Sequence, residues 1–259
     1  MRGISMDKNK LNLLTALAES GDSNAMLELA DHYYLEENKQ TLSKEHFQMV
    51  FDYYCLLADS GNDHAMVTLG CMYYEGVNIP QDFKLARLWY EKAAKCGNSL
   101  GINNLGYCYY YGRDIPIDLE CAFHLFGRAA QMGHHNGMYK LGDMYYNGHY
   151  VQNDPDAAFY WYNQAEQIID ATIPEYPNIA YRIGHCYFLG DGVTQDFLIA
   201  LSWLQKAELG CYTFIQKGDA FAHLTLVRVK EDLETLHQTL DAHKDYQGAE
   251  LGYHNPLNV

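Results

Sequence analysis

Twelve histidines and seven cysteines are the side chains here best suited to metal or nucleophilic chemistry. A protein metal site needs ligands that converge from suitably spaced positions, as in HExxH or CxxC. Neither pattern occurs. His134 and His135 are adjacent in the turn GHHNG and could not both reach one ion without distant help, and His149 falls in a further turn. Cysteines 55, 71, 96, 108, 121, 186 and 211 are odd in number and show no paired spacing, which favours reduced thiols. Cys71 and His64 share a helical face, but two turns hold them about 10 Å apart along the axis, too far to share a proton. Ser5 to Lys8 spells S-x-x-K, which needs a rigid helix start and further motifs before its serine becomes a nucleophile. The chain is therefore expected to have no catalytic residue, metal or cofactor, and not to be an enzyme.

The elements that carry these residues repeat. LGCMYYEG from Leu69 returns as LGYCYYYG from Leu105, LGDMYYNG from Leu141 and IGHCYFLG from Ile183, with a blurred LADHYYLE from Leu29. Gly70, Gly106 and Gly142 lie 36 residues apart, and Gly184 follows after 42. Such a period marks a repeat architecture. Ala65, Leu69 and Tyr73 recur every four residues, so this half is a helix A closed by Gly76. A second half follows, in which Ala86, Trp89 and Ala93, then Ala158, Trp161 and Ala165, then Ala200, Trp203 and Ala207 trace one face of a helix B. Pro80, Pro116 and Pro155 with Asp82, Asp118 and Asp156 fit its start; Gly97, Gly133 and Gly210 fit its stop. A single helix pair has too little core to stand alone and must stack on its neighbours.

This combination, Ala-xxx-LG-x-x-Y-x-x-G followed by Asp, Ala, Trp and Ala-Ala-x-x-G, resembles the Sel-one-like repeat family, relatives of the tetratricopeptide repeats, over residues 18 to 210. The resemblance implies an all-α fold, a right-handed α-solenoid superhelix of about five antiparallel helix-pair repeats with terminal capping helices. The expected organisation is an N-terminal segment and cap over 1–20, repeats over 21–60, 61–96, 97–132, 133–174 and 175–210, C-terminal capping helices over 211–247 and a loose tail over 248–259. Met6 offers an alternative start. EENKQTLSKEH in the first unit and IIDATIPEYPN (168–178) between the fourth and fifth are insertions that could bend the superhelix or add contact surface. Cysteine-rich members of the family carry one disulfide per repeat, and some are credited with β-lactam hydrolysis. Here Cys108 and Cys186 occupy the position of Met72 and Met144, which reads as core filling and leaves a hydrolase of β-lactams or peptidoglycan the disfavoured alternative.

The first aromatic of each pair (Tyr33, Tyr73, Tyr109, Tyr145, Tyr187) is expected to fill the packing face. The second is rotated by about 100°. Carried over from the tetratricopeptide-like superhelix, its stripe lines a concave groove and contains Tyr34, His64, Tyr74, Asn103, Tyr107, Tyr110, Asn136, Tyr139, Asp143, Tyr146, Tyr181, His185 and Phe188. The competing reading buries these rings against the next repeat. The stripe holds no Lys or Arg, and its tyrosines and amides suit recognition of a protein or peptide. The resemblance thus implies a protein-interaction scaffold, either an adaptor or an inhibitor such as an immunity protein. Acidic residues (33) outnumber Lys and Arg (18), for a net charge of −15. That field opposes nucleic acid and would steer a basic partner. No apolar run is long enough for a bilayer and no secretory leader is visible, so membrane binding is not expected and the cytoplasm is the expected location.

Overall fold

The computed structural model describes residues 7–36, 42–219 and 221–250. Ser5, Met6 and the last nine residues lie outside that set. Among the described residues every regular element is helical: α1 (Lys8–Glu19), α2 (Ser23–Asp31) running into a π-helical turn (His32–Glu36), α3 (Lys44–Asp59), α4 (Asp63–Glu75), α5 (Phe83–Lys95), α6 (Ser99–Tyr111), α7 (Leu119–Gln131), α8 (His135–Asn147), α9 (Pro155–Glu166), α10 (Tyr176–Leu189), α11 (Phe197–Gln216) and α12 (Ala222–Glu250). They form two compact units divided after Met132. In the first, α1 to α7 pack in chain order; in the second, α8 to α11 do the same and α12 closes against α10 and α11.

The aromatic pair locks the hairpins through its carbonyls, the first ring in four of them and the second in three. The carbonyl of the first ring accepts the N–H of the aspartate that caps helix B: Asp82 to Tyr73, Asp118 to Tyr109, Asp154 to Tyr145 and Asp196 to Tyr187. The carbonyl of the second accepts a turn amide, from Gln81 to Tyr74, Asn153 to Tyr146 and Gln195 to Phe188. Between them Gly76, Gly112, Gly148 and Gly190 adopt the left-handed C-cap that a side chain would strain. The aspartate side chains take the first free N–H groups of helix B. In the fourth repeat this cap is Asp154, two residues before the Asp156 suggested by the sequence.

Helix B meets helix A through a residue that the Ala-x-x-Trp reading passed over. Four positions after the alanine, Tyr90, Phe126, Tyr162 and Leu204 are buried, whereas Trp89, Trp161 and Trp203 are only half-buried. Lys92 and Lys206 lie over the rings of Trp89 and Trp203 at 3.7 and 3.9 Å. The buried side chains lie against the helix A glycine. A Cβ on Gly70 would stand 2.4 Å from Tyr90 Cε1, on Gly106 2.8 Å from Phe126 Cε1, and on Gly142 2.6 Å from Tyr162 Cε1. The first aromatics pack on the helix before them, Tyr73 edge-on to Phe51 and Tyr187 edge-on to Phe159, and stay half-buried.

Gly210 does not end α11. The helix continues to Gln216 because Pro177 packs on the bare backbone there, within 2.9 Å of where a Cβ would lie. The cap α12 buries Val229, Leu233 and Leu236 but exposes Leu224 and Val227, with Phe221 exposed just before it, so its outer face is not wholly charged.

The same substitution should have opposite signs at two glycines. Gly106→Ala forces Phe126 aside and should cost about 1–3 kcal/mol. Gly127→Ala, on α7 with no atom within 4 Å of the new methyl, should stabilise by about 0.5–1 kcal/mol. Urea unfolding of both variants checks this; equal effects would remove the glycine–ring contact as a constraint.

Candidate binding surface

Where the ring of helix B ends, it meets the residue that follows the glycine position of helix A, which Ala30 holds in the first repeat. Tyr54 OH donates to Asp31 Oδ1 at 2.6 Å, Tyr90 OH to Cys71 Sγ at 3.5 Å, and Tyr162 OH to Asp143 Oδ1 at 3.0 Å. In the third repeat Tyr107 meets the edge of Phe126, with centroids 5.3 Å apart. In the fifth, Leu204 offers no hydroxyl, and His185 instead donates from Nδ1 to Asp232 Oδ2 of α12 at 2.6 Å. Burial raises the phenol pKa of Tyr54, Tyr90 and Tyr162, and the adjacent Asp31, Cys71 or Asp143 adds to it. These hydroxyls are fixed donors.

The next helix A completes each contact. His64 Nε2 donates to Asp31 Oδ1 at 3.0 Å, a hydrogen bond that raises its pKa against the effect of burial. Asn104 Nδ2 reaches Cys71 Sγ at 3.8 Å, and Arg182 Nε donates to Asp143 Oδ1 at 2.9 Å. Lys140 Nζ approaches the other oxygen of Asp143 at 3.3 Å. Asp143 thus receives a tyrosine, an arginine and a lysine.

The expected stripe is not open along its length. Tyr34, Asn103, Asp143 and Tyr181 are buried, which corrects their placement on an exposed surface: Tyr34 packs edge-on to Tyr54, and Asp143 is enclosed by its three donors. His64 is exposed. Tyr74, Tyr107, Tyr110, Asn136, Tyr139, Tyr146, His185 and Phe188 are half-buried. The second aromatic leans on its own helix B or turn: Tyr74 on Phe83, Tyr110 on Phe126, Phe188 on Phe197, while Tyr146 donates to Asp191 Oδ2 at 2.9 Å. In the first unit the surface combines Tyr74, Tyr107 and Tyr110 around Cys71 and Asn104. The second unit brings together Asn136, Tyr139, Tyr146 and His185 near Lys140 and Arg182. Lys140 and Arg182 lie beside the stripe and bring charge to it; each follows a stripe tyrosine, and no other Lys or Arg occurs on α2, α4, α6, α8 or α10. That isolation was the available signal.

The histidine pair at 134–135 serves packing. His134 caps α8, its Nδ1 accepting from Gly137 N at 3.4 Å, while His135 lies 3.6 Å from Glu175 of the 168–178 insertion. Burial, reinforced by His135, pushes His134 down to about 4. All seven cysteines are free thiols. Among the described residues no group of three or more His, Cys, Asp or Glu is placed to hold a metal, and no helix is long and apolar enough to cross a membrane.

Antiparallel helix pairs, closed by a glycine–aspartate turn and stacked A on A, define a repeat protein of the tetratricopeptide kind. The Sel1 repeat pattern matches residues 63–98, 99–134, 135–167 and 179–209, and the chain belongs to that family. Its members generally serve as protein-interaction scaffolds. The fold is similar to that of a protective antigen present in uropathogenic Escherichia coli strains, which displays an SLR fold (30% identity, TM-score 0.65, covering 78% of this chain and 42% of that one). The chain thus spans less than half of that protein. It is also similar to Sel1 repeat proteins from Oxalobacter formigenes (21% identity, TM-score 0.61, covering 79% and 80%) and Klebsiella pneumoniae subsp. pneumoniae (19%, 0.51, covering 85% and 99%). No curated protein matches the sequence.

Two outcomes follow. Because His134 binds its proton less readily folded than unfolded, the stability it supports above pH 6.5 is lost as pH falls toward 4. His134→Asn, which installs the cap residue found at 62 and 98, should flatten unfolding midpoints across that window; an unchanged pH slope would exonerate His134. Asp143→Ala leaves Arg182 and Lys140 without their shared carboxylate and should cost about 3–5 kcal/mol, read by urea unfolding.

Proposed function

We propose that this chain is a non-enzymatic binding scaffold that holds a polypeptide on the half-exposed tyrosines, amides and histidines of its A helices. The observation that carries this reading is the second-aromatic stripe. Tyr74, Tyr107 and Tyr110 in one unit, and Asn136, Tyr139, Tyr146 and His185 in the other, keep part of each ring or amide accessible while the hairpin fixes its position. Rings held this way lose little conformational entropy on binding, and their hydroxyls and the neighbouring amides can pair with an extended backbone. Preorganised aromatic surfaces of this type supply the anchors of protein interfaces. The free thiols suit a reducing compartment, so we place the interaction in the cytoplasm. Whether the bound protein is recruited or neutralised is decided by what it does once captured: retained activity marks an adaptor, lost activity an inhibitor.

Capture from a native lysate, followed by calorimetry with the purified partner, tests the reading. Tyr110→Ala combined with Tyr146→Ala should weaken binding by about 30-fold or more, the range of an interface hot spot. Lys84→Ala on α5 should leave affinity unchanged. A partner that binds the double variant as tightly as the parent, with both proteins folded by circular dichroism, would move the interface elsewhere.

A further inference from the structure

Arg182 carries more donors than the protein uses. Its Nε is committed to Asp143 Oδ1 at 2.9 Å, and the guanidinium stands 5.6 Å from the Tyr181 ring centre. Among the described residues no group accepts from its two Nη atoms. Neither Nη is a sealed, unsatisfied atom, so both reach solvent through the 15% of the side chain that remains accessible. The Nε–Asp143 bond fixes the orientation of the planar fork, leaving its outer edge open.

The charged groups around the fork have other partners. Lys140 and Arg182 share one carboxylate, Asp143. The other carboxylates nearby are engaged: Asp191 accepts from Tyr146, Asp232 from His185, and Glu175 faces His135 and Asn136. Hydrogen bonds from neutral donors leave such carboxylates negative, so in a chain of net charge −15 the site offers the open fork of Arg182 and not a surplus of positive charge. The overall field rejects acidic molecules in general, so an anion is retained only where geometry rewards it.

We propose that the open edge of Arg182, backed by Lys140, receives a carboxylate of the bound polypeptide in a two-pronged contact, with Tyr139, Tyr146 and His185 flanking it. An arginine fork matches carboxylate geometry in a way that a lysine does not. The inference rests on the scaffold reading and adds the chemistry of the partner: an Asp or Glu side chain, or a chain terminus.

The test is an NMR titration of full-length protein labelled with 15N-arginine, with Arg182 assigned through Arg182→Lys. The probes are tri-glutamate capped at both ends, tri-glycine with a free carboxyl terminus, and doubly capped tri-glutamine. Saturable shifts of the Arg182 Nη signals with the first identify a side-chain carboxylate, and with the second a chain end; tri-glutamine should produce none. Arg182→Lys keeps a cation beside Asp143 but loses the fork, and should weaken the effective peptide by roughly 10- to 100-fold. If that variant fails to fold, Arg182 is assigned from through-bond spectra of the parent, whose titration then decides. Absence of saturable shifts with both carboxylate peptides overturns the site, as does undiminished binding to folded Arg182→Lys. A protein partner that depends on Tyr110 and Tyr146 but not on Arg182 overturns the carboxylate contact alone. Peptide binding at Arg182 without any tyrosine-dependent partner overturns the scaffold reading alone.

Discussion

A ring lying on a glycine sets the distance between the helices of a repeat. With no side chain at Gly70, Gly106 or Gly142, the helix A backbone touches Tyr90, Phe126 or Tyr162 directly, and any methyl there would stand inside contact distance. Glycine costs helix stability because its unfolded chain is freer. The burial of a whole aromatic side chain outweighs that cost, at about 2–3 kcal/mol against roughly 1. Closer helices bring the small residues Ala86, Ala122 and Ala158 into the interface, all of them fully buried. The ring is also long enough to cross the helix, so its tip emerges on the far side of the glycine. The structural contact and the polar surface therefore have one cause.

This cause explains which features were readable beforehand. A fixed 36-residue spacing and four-residue apolar recurrence point to helix pairs, because stacking imposes the same burial on each copy. The buried tyrosine of helix B was harder to see. Tryptophan three places after the alanine is larger and draws attention, yet helix geometry turns it outward, where lysine covers it at 3.7 Å in the case of Trp89. The residue four places on faces the glycine. Local stop signals misled in a similar way: Gly210 reads as a helix end until Pro177, a residue from the insertion 33 positions earlier, is known to rest on it. Contacts between distant segments override local preference, and no window of sequence contains both partners.

The stripe was legible in position but not in exposure or charge. A helical wheel places Asn103 and Asp143 on the same face as Tyr110 and Tyr146. It says nothing of neighbours, and those neighbours bury the first two while leaving the rings half-open. Lys140 and Arg182 sit one position beyond stripe residues, on the edge of the face. Only the long reach of their side chains brings their charge to Asp143. Glu175 belongs to an insertion with no counterpart in other repeats, so its return to the start of α8 had no periodic signature.

In four repeats the ring tip meets the residue after the glycine position, which can therefore change its chemistry while the fold stays as it is. It is aspartate at 31, cysteine at 71, tyrosine at 107, aspartate at 143 and histidine at 185. Where the ring carries a hydroxyl, an acceptor stands opposite: Asp31, Cys71 or Asp143. Where it is Phe126, the facing group is a second ring. Where it is Leu204, no donor is available and His185 turns to α12. A polar group placed there without a matching ring would be left unpaired in a nearly enclosed site, at a cost of about 1–3 kcal/mol. The pairs must therefore change together. A charged member then demands a counter-charge, as Asp143 draws Arg182 from the next A helix and Lys140 from its own. The first unit closes one such contact with the neutral thiol of Cys71, the second with an ion cluster. Two surfaces of different chemistry result from one helix-pair plan, and the variation is confined to side chains whose backbone the glycine contact has already fixed.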